Sequence, residues 1–329
     1  MRRCTLPVLA AFLLAACGAE EAPPPEVATY KVDRDRITVS GVSSGAMMAT
    51  QFHVAHSRLV GGVAMVAGGP YYCAEGSLQK GLGPCMGDGG VDVDALVEYA
   101  RAAADAGTVD PLDNLADDPV WLFHGRNDAV MNASLQGAAR DFYLALGSPA
   151  PTVIADVEAP HGFPTLYSGA TCTGMAEPWL NACKYDAAGE LLNTLYGDLE
   201  APAETAGGLI EVPQPGADEV TMLPMALAYV PAVCQAGDAC GVHIAFHGCQ
   251  QSTAYVGDVF ARKAGYNRWA EANALIVLYP QVDSSRIAPL NPMGCWDWWG
   301  YTGDDYATKQ GAQIGVAKAT LDLLAGEAL

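Results

Sequence analysis

Arg36-Ile37-Thr38-Val39-Ser40-Gly41-Val42-Ser43-Ser44-Gly45 is a β-branched run that closes on a G-x-S-x-G turn, and residues 46–57 after it carry a helical pattern. Strand, turn and helix in that order are the setting of a nucleophile elbow, in which two glycines allow a strained turn to lift one serine hydroxyl clear of the sheet edge. Ser43 is therefore the first candidate for chemistry. In a chain with 36 glycines the pentapeptide alone is a weak signal, so its flanking elements and its chemical partners decide what it means.

Outward from the elbow, apolar strand-length runs recur at 37–40, 62–66, 120–124, 152–157, 242–247 and 275–279. Continuous apolar runs of this length are the mark of strands buried on both faces of a parallel sheet. Helical patterns fall between them at 46–57, 91–106, 134–146, 187–196, 256–274 and 311–324. An α/β layered fold with helices on both faces of a mostly parallel sheet follows. The Gly-, Ala- and Pro-rich stretch 167–213 divides the strands into two groups, each too small for its own core. One domain over 31–329 with an insertion near 167–213 is expected.

An acyl-transfer serine needs a base for its proton, an acid to orient that base and fixed N–H donors for the oxyanion. In hydrolases built on this kind of sheet the partners follow in the order serine, acid, histidine, each on a loop after a strand. The strand at 120–124 leaves through Gly125-Arg126-Asn127-Asp128, which places Asp128 where the acid belongs, with Asp156 as the fallback. The next strand is followed by Glu158-Ala159-Pro160-His161, which makes His161 the expected base. His53, His56, His124 and His243 sit in a helix or on strands and compete poorly for that role.

Ser44 supplies one oxyanion donor, and the second normally comes from a loop that precedes the serine. Roughly two dozen mature residues precede Ser43, too few for the usual upstream strands. Downstream, the strand at 242–247 opens into Gly248-Cys249-Gln250, so a circularly permuted sheet is expected, with Cys249 giving the second N–H. The segment 291–301 holds Trp296, Trp298 and Trp299, three of the six tryptophans. Extended geometry sends Trp296 and Trp298 to one side and Trp299 to the other, so at least one lines a substrate cleft.

Residues 1–16 have a basic start, a short apolar stretch and small residues before Cys17, which reads as an export signal. Leu14-Ala15-Ala16-Cys17 is also similar to a lipobox, which would make Cys17 a lipidation site, residues 17–30 a Pro- and Glu-rich tether and the destination the outer membrane. An ordinary cleaved signal leads to the periplasm or the exterior. Of ten cysteines, Cys4 and Cys17 belong to the leader, and the remaining eight suit disulfides in an oxidising compartment. Short loops suggest Cys73 with Cys85, Cys172 with Cys183 and Cys234 with Cys240, leaving Cys249 with Cys295. Absence of any C-x-x-C pair makes a zinc site a poor reading, and no metal or cofactor is expected. The net charge of −20 repels phosphate backbones and anionic lipid headgroups, so nucleic acid is excluded as a partner and neutral substrates fit, with any membrane contact through Cys17 alone. A monomer is expected.

Taken together, Gly-Val-Ser43-Ser-Gly, Ala67-Gly-Gly-Pro-Tyr71, His124-Gly-Arg-Asn-Asp128, His161-Gly-Phe-Pro-Thr165, His247-Gly-Cys-Gln250 and Gly294-Cys-Trp-Asp-Trp-Trp-Gly300 resemble exported poly(3-hydroxybutyrate) depolymerases whose single catalytic domain is a circularly permuted α/β-hydrolase. The resemblance runs in family order from about residue 36 to 303. It implies a triad of Ser43, Asp128 and His161, oxyanion donors at Ser44 and Cys249, and substrate contact at Trp299. No threonine-rich linker or polymer-binding module follows the matched region, so the catalytic surface itself is expected to meet polymer or soluble oligomers. A feruloyl- or acetyl-type carboxylesterase and a non-catalytic binding lipoprotein are the alternatives.

Overall fold

The computed structural model describes Met1 and residues 28–87 and 90–329; the expected leader, the Cys17 lipidation site and most of the tether lie outside these. Eight strands form the main sheet. In chain order these are β1 (Val32–Val42), β2 (Val63–Val66), β3 (Val120–Phe123) and β4 (Thr152–Ile154), then, after three short strands, β8 (Gly208–Pro213), β9 (Met225–Val230), β10 (Cys240–Phe246) and β11 (Leu275–Tyr279). The short strands β5 (Phe163–Thr165), β6 (Ala170–Thr171) and β7 (Leu180–Ala182) make a separate small sheet.

The spatial order of the main sheet is β4-β3-β2-β1-β10-β11-β9-β8, and every pairing is parallel except those that β9 makes with β11 and β8. Two-residue alternation sends Ile276 and Leu278 into one core and Leu275, Val277 and Tyr279 into the other. The first core is closed by helices Ser44–Ala55, Val93–Asp105, Ser134–Ala145 and Ala312–Ala325, and the second by Ala187–Tyr196, Val259–Lys263 and Tyr266–Ala272. All twelve residues of Ser44–Ala55 are buried, because this helix is covered on every side.

The chain order is permuted. Counted from β8 and carried through the C-terminus to β1, β10 becomes the third strand and β1 the fifth, so the loop after β10 takes the place of the donor loop that follows the third strand of an α/β-hydrolase. The circularly permuted α/β-hydrolase fold is therefore present, and one sheet spans both halves of the chain.

Several local expectations are corrected. The helix expected at 256–274 is three short helices, Thr253–Val256, Val259–Lys263 and Tyr266–Ala272, interrupted where Gly257 (φ 61°) and Gly265 (φ 108°) adopt left-handed backbone. The strand expected at 152–157 stops at Ile154. Strands β8 and β9 were not visible as a pattern: β8 is a part-exposed edge strand, and the Met-Ala-Leu-Ala start of β9 favours helix until the sheet overrides it. The stretch 167–213 contributes the helix Ala187–Tyr196, which packs directly on the sheet.

Disulfides join Cys73–Cys85, Cys172–Cys183, Cys234–Cys240 and Cys249–Cys295. The last closes the longest loop, 46 residues apart in sequence, so replacing both its cysteines by serine is expected to lower unfolding free energy by about 2–4 kcal/mol in urea titrations. Three histidines are kept neutral by desolvation: full burial lowers His243 to about 3 and His247 to about 4, and partial burial lowers His56 to about 4. The unfolded chain takes up protons at these rings near its ordinary pKa of about 6.5 while the folded chain does not, so their stabilisation is present above that pH and is lost progressively toward the folded values. Urea midpoints should fall between pH 6.5 and 4.5, and a flat profile would contradict this.

Candidate active site

Ser43 directly follows β1 and stands at the N-cap of the next helix with φ 56° and ψ −122°, a positive-φ conformation rare for a residue other than glycine. Close packing imposes it. A Cβ on Gly41 would lie 2.0 Å from the Gly45 carbonyl oxygen, and one on Gly45 would lie 2.3 Å from the His247 carbonyl oxygen, so both glycines are required by space. The Ser43 N–H donates to the Val66 carbonyl at 2.9 Å, which pins the turn to the neighbouring strand.

The imidazole of His161 joins this turn to the acid. Its Nε2 is 2.9 Å from Ser43 Oγ and its Nδ1 is 2.8 Å from Asp128 Oδ2. An ionised carboxylate can only accept, so Nδ1 carries the ring proton and donates to Asp128, leaving Nε2 to accept from the serine hydroxyl. The other carboxylate oxygen accepts from the N–H groups of Val130 at 2.8 Å and Met131 at 3.0 Å. Burial pushes the Asp128 carboxyl up, but the His161 hydrogen bond and charge and these two N–H groups outweigh it and hold it below the usual range. The Asp128 side chain is 1% exposed and that of His161 14%, so the acid is dry while the ring meets the surface.

Backbone contacts register the two loops. Arg126 N–H donates to the Val157 carbonyl at 2.8 Å and Asn127 N–H to Ala159 at 3.1 Å, while a Cβ on Gly125 would meet the Ala159 oxygen at 2.2 Å. Asp156, the fallback acid, takes no part in these contacts.

The loop after β10 closes the other side. A Cβ on Gly248 would lie 3.5 Å from Ser43 Cβ, and neither the Ser44 nor the Cys249 N–H has an acceptor among the described residues. The Ser44 hydroxyl accepts from Trp296 N–H and donates to Cys249 Sγ, each at 3.3 Å. Gln251, which sequence reasoning passed over, accepts from Gly248 N–H at 2.7 Å and donates to the carbonyls of Pro178 and Trp179 at 3.0 and 3.2 Å. Trp179 in turn accepts from Phe163 N–H, two residues beyond His161, so Gln251 ties the loop at Gly248 to the loop that carries His161. Its place directly after the HGCQ motif was the available signal.

The tryptophans divide as alternation sets them, Trp296 and Trp298 inward and Trp299 part-open, although the segment itself is not extended. Trp296 is fully buried, donates from Nε1 to the His247 carbonyl at 2.9 Å and packs edge-on to Phe246, which removes it from the substrate-binding set. Trp298 is also buried, beside Met47, Met131 and Leu135, whereas Trp299 keeps part of its surface open. The segment is wound rather than extended, because Asp297 accepts the N–H groups of Trp299, Gly300, Tyr301 and Thr302 and the Thr302 hydroxyl. A shallow cleft of about 430 Å³ beside Asp128 is lined by Leu82, Met86, Val130 and Met131 together with the polar side chains of Asp128 and Asn132.

His243 and His247 stand at H-x-x-x-H spacing, but Thr38 and Ser40 hold one ring and the Gly248 carbonyl and Val282 N–H the other. Among the described residues no group of three or more His, Cys, Asp or Glu could hold a metal ion. Among them, too, no helix is long and apolar enough to cross a membrane.

No family model matches the sequence. The chain is 38% identical over 304 residues to a poly(3-hydroxybutyrate) depolymerase of Delftia acidovorans, a match covering 89% of this chain and 60% of that relative's length. It is 30% identical over 321 residues to a polyhydroxybutyrate depolymerase of Talaromyces funiculosus, covering 92% and 93% of the two chains. The crystal structure of the PHB depolymerase from Penicillium funiculosum superposes with a TM-score of 0.85 at 28% identity over 91% of this chain and 98% of that one. A Ser-to-Ala PHB depolymerase complexed with an R3HB trimer gives the same values. With its permuted sheet and its serine, histidine and aspartate in hydrogen-bond contact, the chain belongs to the polyhydroxybutyrate depolymerase family.

Proposed function

We propose that the protein is a serine esterase that hydrolyses the ester bonds of poly(3-hydroxybutyrate) or its oligomers through an acyl-enzyme. The observation that carries this reading is the unbroken hydrogen-bond chain from Ser43 Oγ through His161 to a buried, ionised Asp128. Ser43 attacks the ester carbonyl carbon as its proton passes to His161 Nε2, and the negative charge on the carbonyl oxygen is met by the N–H groups of Ser44 and Cys249. Asp128 stabilises the imidazolium, which then protonates the departing alkoxide, leaving the hydroxyacyl group on Ser43. Water, deprotonated by His161, adds to the acyl carbon, and collapse releases a carboxylic acid and restores the serine hydroxyl.

The family names given to the relatives, and the R3HB trimer bound by one solved neighbour, support a hydroxybutyrate ester as substrate. The part-open face of Trp299 and the Leu82, Met86, Val130 and Met131 side chains of the cleft beside Asp128 would take the aliphatic chain. One catalytic domain over 31–329 and a monomer complete the reading. Four disulfides fit an exported protein, consistent with a leader at 1–16 and with anchoring at Cys17 or release beyond it.

Incubation with amorphous poly(3-hydroxybutyrate) should release hydroxybutyrate oligomers or monomer; turnover confined to feruloyl or acetyl esters would move the protein to the carboxylesterases. A fluorophosphonate should label the wild type and leave Ser43→Ala unlabelled. Asp128→Asn should retain the wild-type melting profile yet lose about 10⁴-fold in kcat, because the ring would be held in the wrong tautomer. Unchanged turnover would assign the acid elsewhere.

A further inference from the structure

A second cleft, of about 440 Å³, has none of Ser43, Asp128 or His161 in its walls. Its volume is that of a small-molecule site. Strand β5 links it to the catalytic side: Phe163 at its start lies two residues beyond His161, and Thr165 at its end lines the cleft, together with Tyr167, Leu209, Tyr229 and the segment around Lys263, Arg268 and Trp269.

Two features give this cleft a chemical preference. Its aromatic wall is rigid: the Trp269 indole N–H donates to Asp186 Oδ2 at 3.0 Å, and a Cβ on Gly189 would come within 2.6 Å of the ring. Its free charge is positive, although the chain carries 37 acidic and only 17 basic residues. Arg262 is paired with Asp258, but Lys263 and Arg268 have neither an ion pair nor a side-chain hydrogen bond among the described residues. Asp186, the one acidic residue in the walls, is already engaged, since its Oδ1 accepts from Gly189 N–H at 3.1 Å and its Oδ2 from Trp269. Two uncommitted cations beside a fixed aromatic face suit a ligand with an anionic end and a short aliphatic body.

We propose that this cleft is an accessory site for short hydroxyalkanoate acids, with Lys263 and Arg268 taking the carboxylate and the face of Trp269 taking the hydroxyacyl chain. The inference rests on the esterase reading, because each ester bond cleaved with water yields one fragment ending in a hydroxyl and one ending in a carboxylate. The substrate chain is neutral except at its end, so such a site distinguishes product from substrate.

The test uses the full chain as Ser43→Ala, with the indole N–H resonance of Trp269, assigned through Trp269→Phe, as a readout local to this cleft. Titration with the free-acid dimer of 3-hydroxybutyrate should shift that resonance saturably, while the methyl ester of the same dimer should bind about tenfold more weakly or less. Adding Lys263→Ala and Arg268→Ala should weaken the acid by about tenfold or more, and the same two changes in the Ser43 enzyme should leave initial rates on a neutral ester unaltered. Equal shifts from acid and ester, equal affinity without the two cations, or inorganic phosphate binding as tightly as the acid would each overturn the proposal. Absence of ester hydrolysis by the unaltered enzyme would instead overturn the esterase reading, so the two failures are separable.

Discussion

The contact between the turn at Ser43 and the backbone beneath it governs the rest of the structure. Gly41 and Gly45 lie so close to one another and to the loop after β10 that no side chain fits at either position. A serine at φ 56° is costly, by about 1–3 kcal/mol for such a conformation, and persists because β1 is paired on both sides and the helix behind it is buried throughout. Pre-organisation follows directly. The hydroxyl is already aimed at His161 Nε2, and the first N–H of the helix has no acceptor among the described residues.

Permutation alters where the chain begins without altering what surrounds the serine. The loop at Gly248 and Cys249 comes some two hundred residues after Ser43, yet β10 pairs with β1 along its buried half and delivers that loop to the turn. The Cys249–Cys295 disulfide and the Ser44 hydroxyl then lock the loop to the tryptophan segment, and Gln251 carries the connection on to the base loop. Three segments distant in sequence thus share one hydrogen-bonded frame, in which the position of each donor depends on the others.

Electrostatics divide the molecule into two regimes. Around Ser43, His161 and Asp128, charge is buried and compensated: Asp128 is dry, stays ionised through His161 and two backbone N–H groups, and pairs with no lysine or arginine among the described residues. The surface is strongly acidic, which suits an uncharged polymer and disfavours polyanions. The Lys263 and Arg268 cleft departs from that background, and its local sign is what separates a carboxylate end from the neutral chain.

Much of this was readable from residues alone, because the chemistry is carried by short motifs at the ends of strongly apolar strands. The G-x-S-x-G turn, the polar loop ending in Asp128, His161 after the next strand and the HGCQ loop each sit beside a run whose burial is dictated by composition. Strands β8 and β9 were hidden because edge exposure and helix-favouring residues blur their pattern, and the 256–274 helix was overestimated because periodicity does not reveal where glycine turns left-handed. The division of the tryptophans was readable, but the winding of their segment was not. A five-donor cage around Asp297 winds it, with Trp296 and Trp298 buried and Trp299 part-open, so hydrogen bonds between neighbours rather than extended backbone hold the arrangement. By itself, then, the sequence determined the layered α/β class and the kinds of groups at each strand end, since these follow from local hydrophobicity and turn chemistry. Only the tertiary structure decided which groups meet, because meeting depends on strand order and close backbone approach, which no local pattern encodes.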